Sequence, residues 1–364
     1  MLPRSMAESI PEQNLLERST IVDTDIHLSI DVDQVAAYLD EPHRSHMRNP
    51  TVFPLPISGW NRSLGGKISG EQQVRGPEDI KRDLVEGFHI DYPVINATSF
   101  LPRLPQSDLA VALMSAYNDL VMDRYLDGND DFRGLVTLAT QKPHKAAEEL
   151  DRLGDEDQFV GVYLATSGAE RPLGDERYDP IYEAAEDNDL AIAFHASAGA
   201  FMFDFPKQNQ GFEKFFEVHS MAHPWGQMMT VVSLLANGTP VKVPDLDFVF
   251  LEAGLGWVPY MMMRLNREYS MRRSEVPFLE KSPEEYIREF YFASQPVGEP
   301  NDPSHLSNVI DMVGPESICF ATDYPHWDFD SPEPLVQHLN AHFSAEERDM
   351  VLGGNAAKAF GIEI

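Results

Sequence analysis

One cysteine, Cys319, is all the chain offers in 364 residues. An intrachain disulfide is therefore impossible, and a sulfur-rich metal site is excluded. Lysine is scarce too, supplying 9 of the 28 basic residues. Those 28 are outnumbered by 59 Asp and Glu, leaving a net charge of −31 and an isoelectric point near 4.6. A protein that binds nucleic acid by neutralising phosphates needs a basic face and is ruled out. The same excess of acid argues against docking on anionic lipid. No window approaches the roughly 18 apolar residues of a membrane span. Residues 1–20 are polar and lack the apolar core of a secretory signal. A cytoplasmic, reducing setting is the expectation. No repeat of fixed period is present, which removes solenoid architectures.

What is there is enough for a large core. Hydrophobic residues make up 43% of the chain and aromatics 10%, so the charge does not signal disorder. An acid-rich, Lys-poor composition suits high salt, where repulsion between carboxylates is screened. A salt-adapted source is the matching expectation.

Residues 1–19 read as a polar arm. Residues 20–27 read as a short apolar strand with polar groups at its end. The segment 28–88 follows, dotted with Pro and Gly, and reads as an active-site loop or lid insertion. Beyond it, strands and helices alternate. Strand-like runs cover 89–96, 132–139, 159–164, 190–195, 247–252, 290–294 and 317–323. Helical patterns lie between them, among them 109–126, 143–153, 180–188, 212–237 (with Gly238 as C-cap), 257–269 and 302–313. Near-continuous apolar strands with helical crossovers mean a parallel sheet covered on both faces. Eight such units in residues 20–364, with no glycine-rich dinucleotide turn after the first strand, fit one α/β domain, a (β/α)₈ TIM barrel with a long insertion after its first strand.

Reactive groups of such barrels lie at the C-terminal ends of strands. Here those ends carry Asp25 and His27 (first strand), His195 (fifth), Glu252 (sixth) and Asp323 (eighth). Residues two apart on a strand share a face, so Asp25 and His27 enter the barrel mouth together. Taken singly, a strand-ending His is more often a hydrogen-bonded cap, and Asp323 could be a helix N-cap. Taken together, Asp25, His27, His195 and Asp323 form a nitrogen-and-oxygen ligand set for one divalent metal ion, zinc first, with manganese or iron as alternatives.

The stretches DTDIH at 23–27, YNDLVMDRYL at 117–126, AIAFHASAG at 191–199, FVFLEAGLGWVPYMMMRL at 248–265 and ATDYPHWDFDSP at 321–332 resemble the amidohydrolase-related family, in the branch containing aminocarboxymuconate semialdehyde decarboxylase. The resemblance spans residues 20–362 and implies a (β/α)₈ barrel with one divalent metal held at strands one, five and eight. The family's D-x-H-x-H falls on Asp23-x-Asp25-x-His27, so a carboxylate stands where its first metal histidine would be. Its strand-six catalytic histidine falls on Glu252. Subunits of the family generally pair, which implies a homodimer or larger homo-oligomer.

His219 and His223 stand at i and i+4 on one helix face. No Glu follows the first, so the metalloprotease helix is absent. His223 is a candidate to replace the missing strand-six imidazole. Glu252 is either catalytic or a carboxylate that orients a ligand. His326 reads as a residue that fixes the strand-eight loop. Arg62, on the long insertion, is a candidate clamp for a substrate carboxylate, although a solvated loop arginine is the commoner outcome.

The expected activity is Lewis-acid chemistry on a small carboxylate- or carbonyl-bearing substrate, with Asp323 transferring a proton. An amidohydrolase-like hydrolysis comes first in this reading. Non-oxidative decarboxylation of an aromatic or unsaturated acid is the alternative. A third reading is a catalytically inactive barrel serving as an interaction subunit.

Overall fold

In the computed structural model, residues 19–28, 30, 32–47, 74–96, 104, 106–195, 209–326 and 328–364 are described. Their frame is eight parallel strands in sequential order. These are β1 (Val22–His27), β2 (Tyr92–Asn96), β3 (Arg133–Thr137), β4 (Phe159–Ala165), β5 (Ala191–His195), β6 (Phe248–Leu251), β7 (Tyr291–Ala293) and β8 (Ile318–Cys319). The sheet closes on itself. The Thr24 amide donates to the Phe320 carbonyl at 3.1 Å and the His27 amide to the Tyr324 carbonyl at 2.7 Å. Ile26 and Tyr324 form a parallel bridge across the same seam. This is the (β/α)₈ barrel expected from the sequence.

The strands are apolar because both faces are covered. Ile192, Val249 and Phe292 are wholly buried. Between barrel and helices, Phe194 stacks on Phe248 and Phe250 on Phe292, with centroids 5.9 and 5.3 Å apart. One main helix precedes or follows each strand: α1 (Pro77–Ile80, running on toward Phe88), α2 (Ser107–Val121), α3 (Pro143–Leu153), α4 (Asp179–Asp187), α5 (Phe215–Asn237), α6 (Trp257–Arg272), α7 (Ser304–Val313) and α8 (Pro332–His342). Local signals set their ends. Proline sits in the first turn of α1, α3, α4 and α8, where its missing N–H costs nothing. Gly238 ends α5 with φ 69°, as its reading as a C-cap requires.

Two strand ends differ from the sequence pattern. The run 317–323 was expected to be one strand, yet the β8 ladder stops at Cys319. Phe320 instead bonds outward, its amide to the Val351 carbonyl at 2.9 Å, and Asp323 turns left-handed at φ 59°. Similarly, β6 ends at Leu251, and Glu252 takes φ 51°. A left-handed residue cannot continue a strand. The insertion also holds more structure than a bare loop: Val32–Ala36, His43–Met47 and α1 are helical. Residues 48–73, with Arg62, and residues 1–18 of the expected arm lie outside the described residues.

Candidate metal centre

Every expected ligand reaches the C-terminal mouth of the barrel. Asp25 and His27, on alternate positions of β1, bring carboxylate Oδ1 and imidazole Nε2 to 3.0 Å. His195, last residue of β5, places its Nε2 3.2 Å from that of His27 and 3.4 Å from Asp25 Oδ1. Asp323 Oδ1 lies 3.1 Å from His27 Nε2. Asp25 and Asp323 are completely buried, and His195 nearly so.

These separations suit a bound cation as well as they suit hydrogen bonds. Donors about 2.1 Å from a metal are about 3.0 Å apart at right angles and about 3.4 Å apart in a tetrahedron. The observed 3.0–3.4 Å separations fall in that range. Asp25 Oδ2 is buried with no hydrogen-bond partner, a costly state for a carboxylate unless a cation takes the lone pair. Asp25, His27 and His195 form one group of converging donors, and His27, Asp323 and His326 a second that shares His27.

The electrostatics agree. Burial alone would raise the Asp25 carboxyl, but the His195 and His27 rings outweigh it and hold it far below the usual range. His27 is pushed well above an ordinary imidazole, against its burial, by Asp25 and Asp323. A metal ion at this place would compete with that pairing of carboxylate and imidazole for the same donor atoms.

A second set of groups stands beside these donors. Glu252 Oε2 is 3.4 Å from His195 Nε2, and its Oε1 is 3.5 Å from His223 Nδ1. Burial, with Asp323 and Asp25 nearby, raises the Glu252 carboxyl strongly. His223 comes from α5, is pushed down to about 3 by burial and by His219, and has a buried Nε2 with no partner. The structure thus brings His223 to the sixth-strand carboxylate, as the sequence reading allowed. His326 does hold the strand-eight loop, its Nδ1 lying 2.6 Å from Asp323 Oδ1.

Two supporting residues, Asn96 and Gln295, were not singled out in the sequence. Asn96, at the end of β2, donates from Nδ2 to Asp25 Oδ1. Gln295, just past β7, donates from Nε2 to Asp323 Oδ2 at 3.3 Å and to the Asp328 carbonyl at 3.4 Å. Asp328 in turn faces His219 at 3.1 Å. The signal for Asn96 and Gln295 was their place at strand ends. Asp23 faces away from catalysis: it accepts from the Thr322 amide (2.9 Å), the Thr322 hydroxyl (2.5 Å) and the Asp25 amide (3.2 Å), pinning β1 to the strand-eight loop.

The family model described as Amidohydrolase matches residues 23–362. The chain belongs to the amidohydrolase family. It is a metal-dependent enzyme, a hydrolase or decarboxylase of that superfamily, and the inactive-barrel reading is set aside. The chain is 23% identical over 259 residues to 2-amino-3-carboxymuconate-6-semialdehyde decarboxylase of Dictyostelium discoideum, covering 70% of this chain and 68% of that protein. It is 24% identical over 321 residues to gamma-resorcylate decarboxylase of Rhodococcus jostii (strain RHA1), covering 79% and 88%. Its fold is similar to the crystal structure of a dihydroxybenzoic acid decarboxylase from Polaromonas sp. JS666 with bound manganese and the inhibitor 2-nitroresorcinol. There the TM-score is 0.67 at 18% identity, over 94% of this chain and 97% of that one. Among the described residues, no helix of this family member is long and apolar enough to cross a membrane.

Proposed function

We propose that this amidohydrolase-family protein is a metal-dependent, non-oxidative decarboxylase of a small aromatic or unsaturated carboxylic acid. The observation that carries the reading is the convergence of Asp25, His27, His195 and Asp323, with donor atoms 3.0–3.4 Å apart beside the Glu252–His223 pair. The similarity to decarboxylases along most of the chain supports carbon–carbon cleavage over the hydrolysis placed first from sequence.

Asp25, His27, His195 and Asp323 would hold the ion. Zinc and manganese both suit two imidazoles with carboxylates and no sulfur. When bound, the ion supplies Lewis-acid polarisation of the substrate's carboxylate and a neighbouring oxygen. Glu252 holds a proton for the carbon that loses CO₂. As the bond to the carboxyl carbon breaks, that proton moves to the ring or alkene carbon, and the electron pair is not left as a free carbanion. His223, neutral and 3.5 Å from Glu252, orients it, and Glu252 regains its proton from water once the product has left. Asn96 and Gln295 fix the two carboxylates on either side of His27.

Residues 20–364 act as one domain in this reading, and the insertion after β1 forms part of the mouth. Its described end is tied to the strand-eight loop: Tyr324 donates its hydroxyl to Asp83, and Phe88 packs on Phe329 at 5.7 Å. Arg62, the carboxylate clamp that the sequence offered as a candidate, lies outside the described residues. The test combines metal analysis of the purified protein with a CO₂-release screen of hydroxylated aromatic carboxylic acids, run beside lactones and amides. About one ion per chain and release of CO₂ from at least one acid are expected. Turnover of lactones or amides without CO₂ release returns the protein to hydrolysis.

A further inference from the structure

Helix α5 reaches the barrel mouth through two residues one turn apart. His223 stands 3.5 Å from Glu252. Gln227, four residues on and so on the same face, is wholly buried. Its Nε2 donates to the Phe194 carbonyl at 2.7 Å and to the Leu251 carbonyl at 2.8 Å. Those carbonyls belong to the peptide groups that lead into His195 and Glu252. A peptide group is planar, so holding its oxygen also fixes the direction in which the next residue leaves the strand. One side-chain amide thus grips the ends of β5 and β6 immediately before the expected metal ligand and the proposed proton donor.

We propose that Gln227 is a positioning residue: it sets the spacing of His195, Glu252 and His223, and through them acts on metal binding and on proton transfer. The Glu252 part of this inference rests on the proposed decarboxylase reading, and the His195 part on the metal centre alone. Close approach of α5 makes the contact possible. A Cβ on Gly226 would stand 2.4 Å from Thr166 Oγ1 and 3.2 Å from Thr166 Cβ, so glycine lets the helix settle there. Thr166 is itself tied to the site, its amide donating to the His195 carbonyl at 3.0 Å.

Closing the sheet does not require this amide. Strands β5 and β6 already pair from Ile192 and Phe248 through His195 and Leu251. The amide also carries a cost, because its Oε1 is buried with no hydrogen-bond partner. Packing alone would be served by an apolar side chain of the same length, without that orphan oxygen. The need for it lies one residue past the ladder. Glu252 is left-handed at φ 51°, so strand pairing no longer fixes where its carboxylate goes. Gln227 holds it from the backbone side and His223 from the carboxylate side.

Gln227→Met keeps the length of the side chain and removes both bonds. The matched control is Asn355→Leu. Asn355 Nδ2 also donates to two carbonyls, those of Pro315 and Ile318, both at 2.7 Å, but at the N-terminal end of β8, away from the mouth. Both variants are expected to melt at a lower temperature. Metal-free protein is then titrated with cobalt(II), whose visible absorption follows its ligand arrangement. Gln227→Met is expected to bind cobalt about 10–100-fold more weakly, with shifted bands, while Asn355→Leu stays within about twofold of the wild type. In turnover, Gln227→Met is expected to lower kcat about 10-fold or more with KM little changed, and to lower it less than about 3-fold further in the Glu252→Gln background. Gln227→Glu, buried and hence protonated, keeps one of the two bonds; it is expected to fall in between and carries the same readings if the Met variant does not fold. Cobalt binding by the Gln227 variants that matches Asn355→Leu overturns the proposal, as does a kcat loss of the same size with and without Glu252→Gln. A protein that releases CO₂ from no acid in the screen refutes the decarboxylase reading instead, and the cobalt titration then decides on Gln227 alone.

Discussion

Asp23 sits two residues before the first expected ligand, and its replacement separates barrel closure from metal binding. Three buried donors converge on its carboxylate: the amide and hydroxyl of Thr322 and the amide of Asp25. Asp23 and Thr322 are both wholly buried, so water cannot take over those bonds. Asp23→Ala leaves three donors unsatisfied. At about 1–3 kcal/mol for each, partly relieved by relaxation, the loss is about 3–6 kcal/mol. That is a large share of a typical total of about 5–15 kcal/mol. Asp23→Asn is a different matter. Its oxygen still accepts from both amides, and its NH₂ can donate to the Thr322 hydroxyl oxygen, but that buried hydroxyl's hydrogen then lacks an acceptor, so a loss of about 1–3 kcal/mol is expected. Urea unfolding followed by circular dichroism, run on all three proteins with and without added metal, reads both effects. Asp23→Ala is also expected to bind metal more weakly, because the Asp25 backbone loses its anchor. Equal stability of wild type and Asp23→Ala, or equal damage from Ala and Asn, would refute the reasoning.

Other outcomes follow from the same geometry. His195→Ala and Asp25→Ala are expected to bring metal stoichiometry below about one ion per ten chains while the fold, read by circular dichroism, persists. Glu252→Gln is expected to keep the metal and lower kcat by about 10²–10⁴-fold, the usual worth of a general acid; equal activity would remove Glu252 from the proton path. Cys319 is wholly buried, and burial pushes its thiol far up from the ordinary value. It is expected to resist alkylation in the native protein and to react on unfolding, so that labelling tracks the denaturation curve.

Much of this arrangement was legible from the sequence, because a barrel turns a one-dimensional pattern into a place. Apolar runs ending in Asp, His or Glu are read directly as strands whose last residues face the mouth, and Asp25, His27, His195, Glu252 and Asp323 all arrive there. The misses have physical causes. The strand-eight run was read too long because Phe320, Ala321 and Thr322 are as buried as strand residues, but their amides bond to the Val351 carbonyl, the Ser294 hydroxyl and the Asp23 carboxylate and not to a strand ladder. Hydrophobicity reports burial and not the ladder. Asn96 and Gln295 passed unnoticed because neutral amides were not weighed as ligand supports, although both stand at strand ends. The approach of His223 to Glu252 was open as a possibility only, since nothing in a helix pattern says how far α5 leans over the mouth.

The net charge of −31 bears on the proposed substrate in a way that can be measured. A carboxylate substrate approaching such a protein meets long-range repulsion, which the proposed metal ion at the barrel mouth would offset at close range. The screening length is about 10 Å at 0.1 M salt and about 3 Å at 1 M, so added salt removes the long-range part and leaves the contacts in the buried pocket nearly intact. Salt normally slows enzymes that steer a charged substrate by attraction. Here the sign is reversed: kcat/KM for an anionic acid is expected to rise several-fold between 0.05 and 1 M KCl, on the order of the screening change. The rise should come through KM, with kcat unchanged. The melting temperature is expected to climb over the same range as carboxylate repulsion in helices and loops is screened. A kcat/KM that falls with salt would mean that the mouth is locally positive and that the acidic surface has no hold on the substrate. A melting temperature that stays flat would remove the salt-adapted reading of the composition.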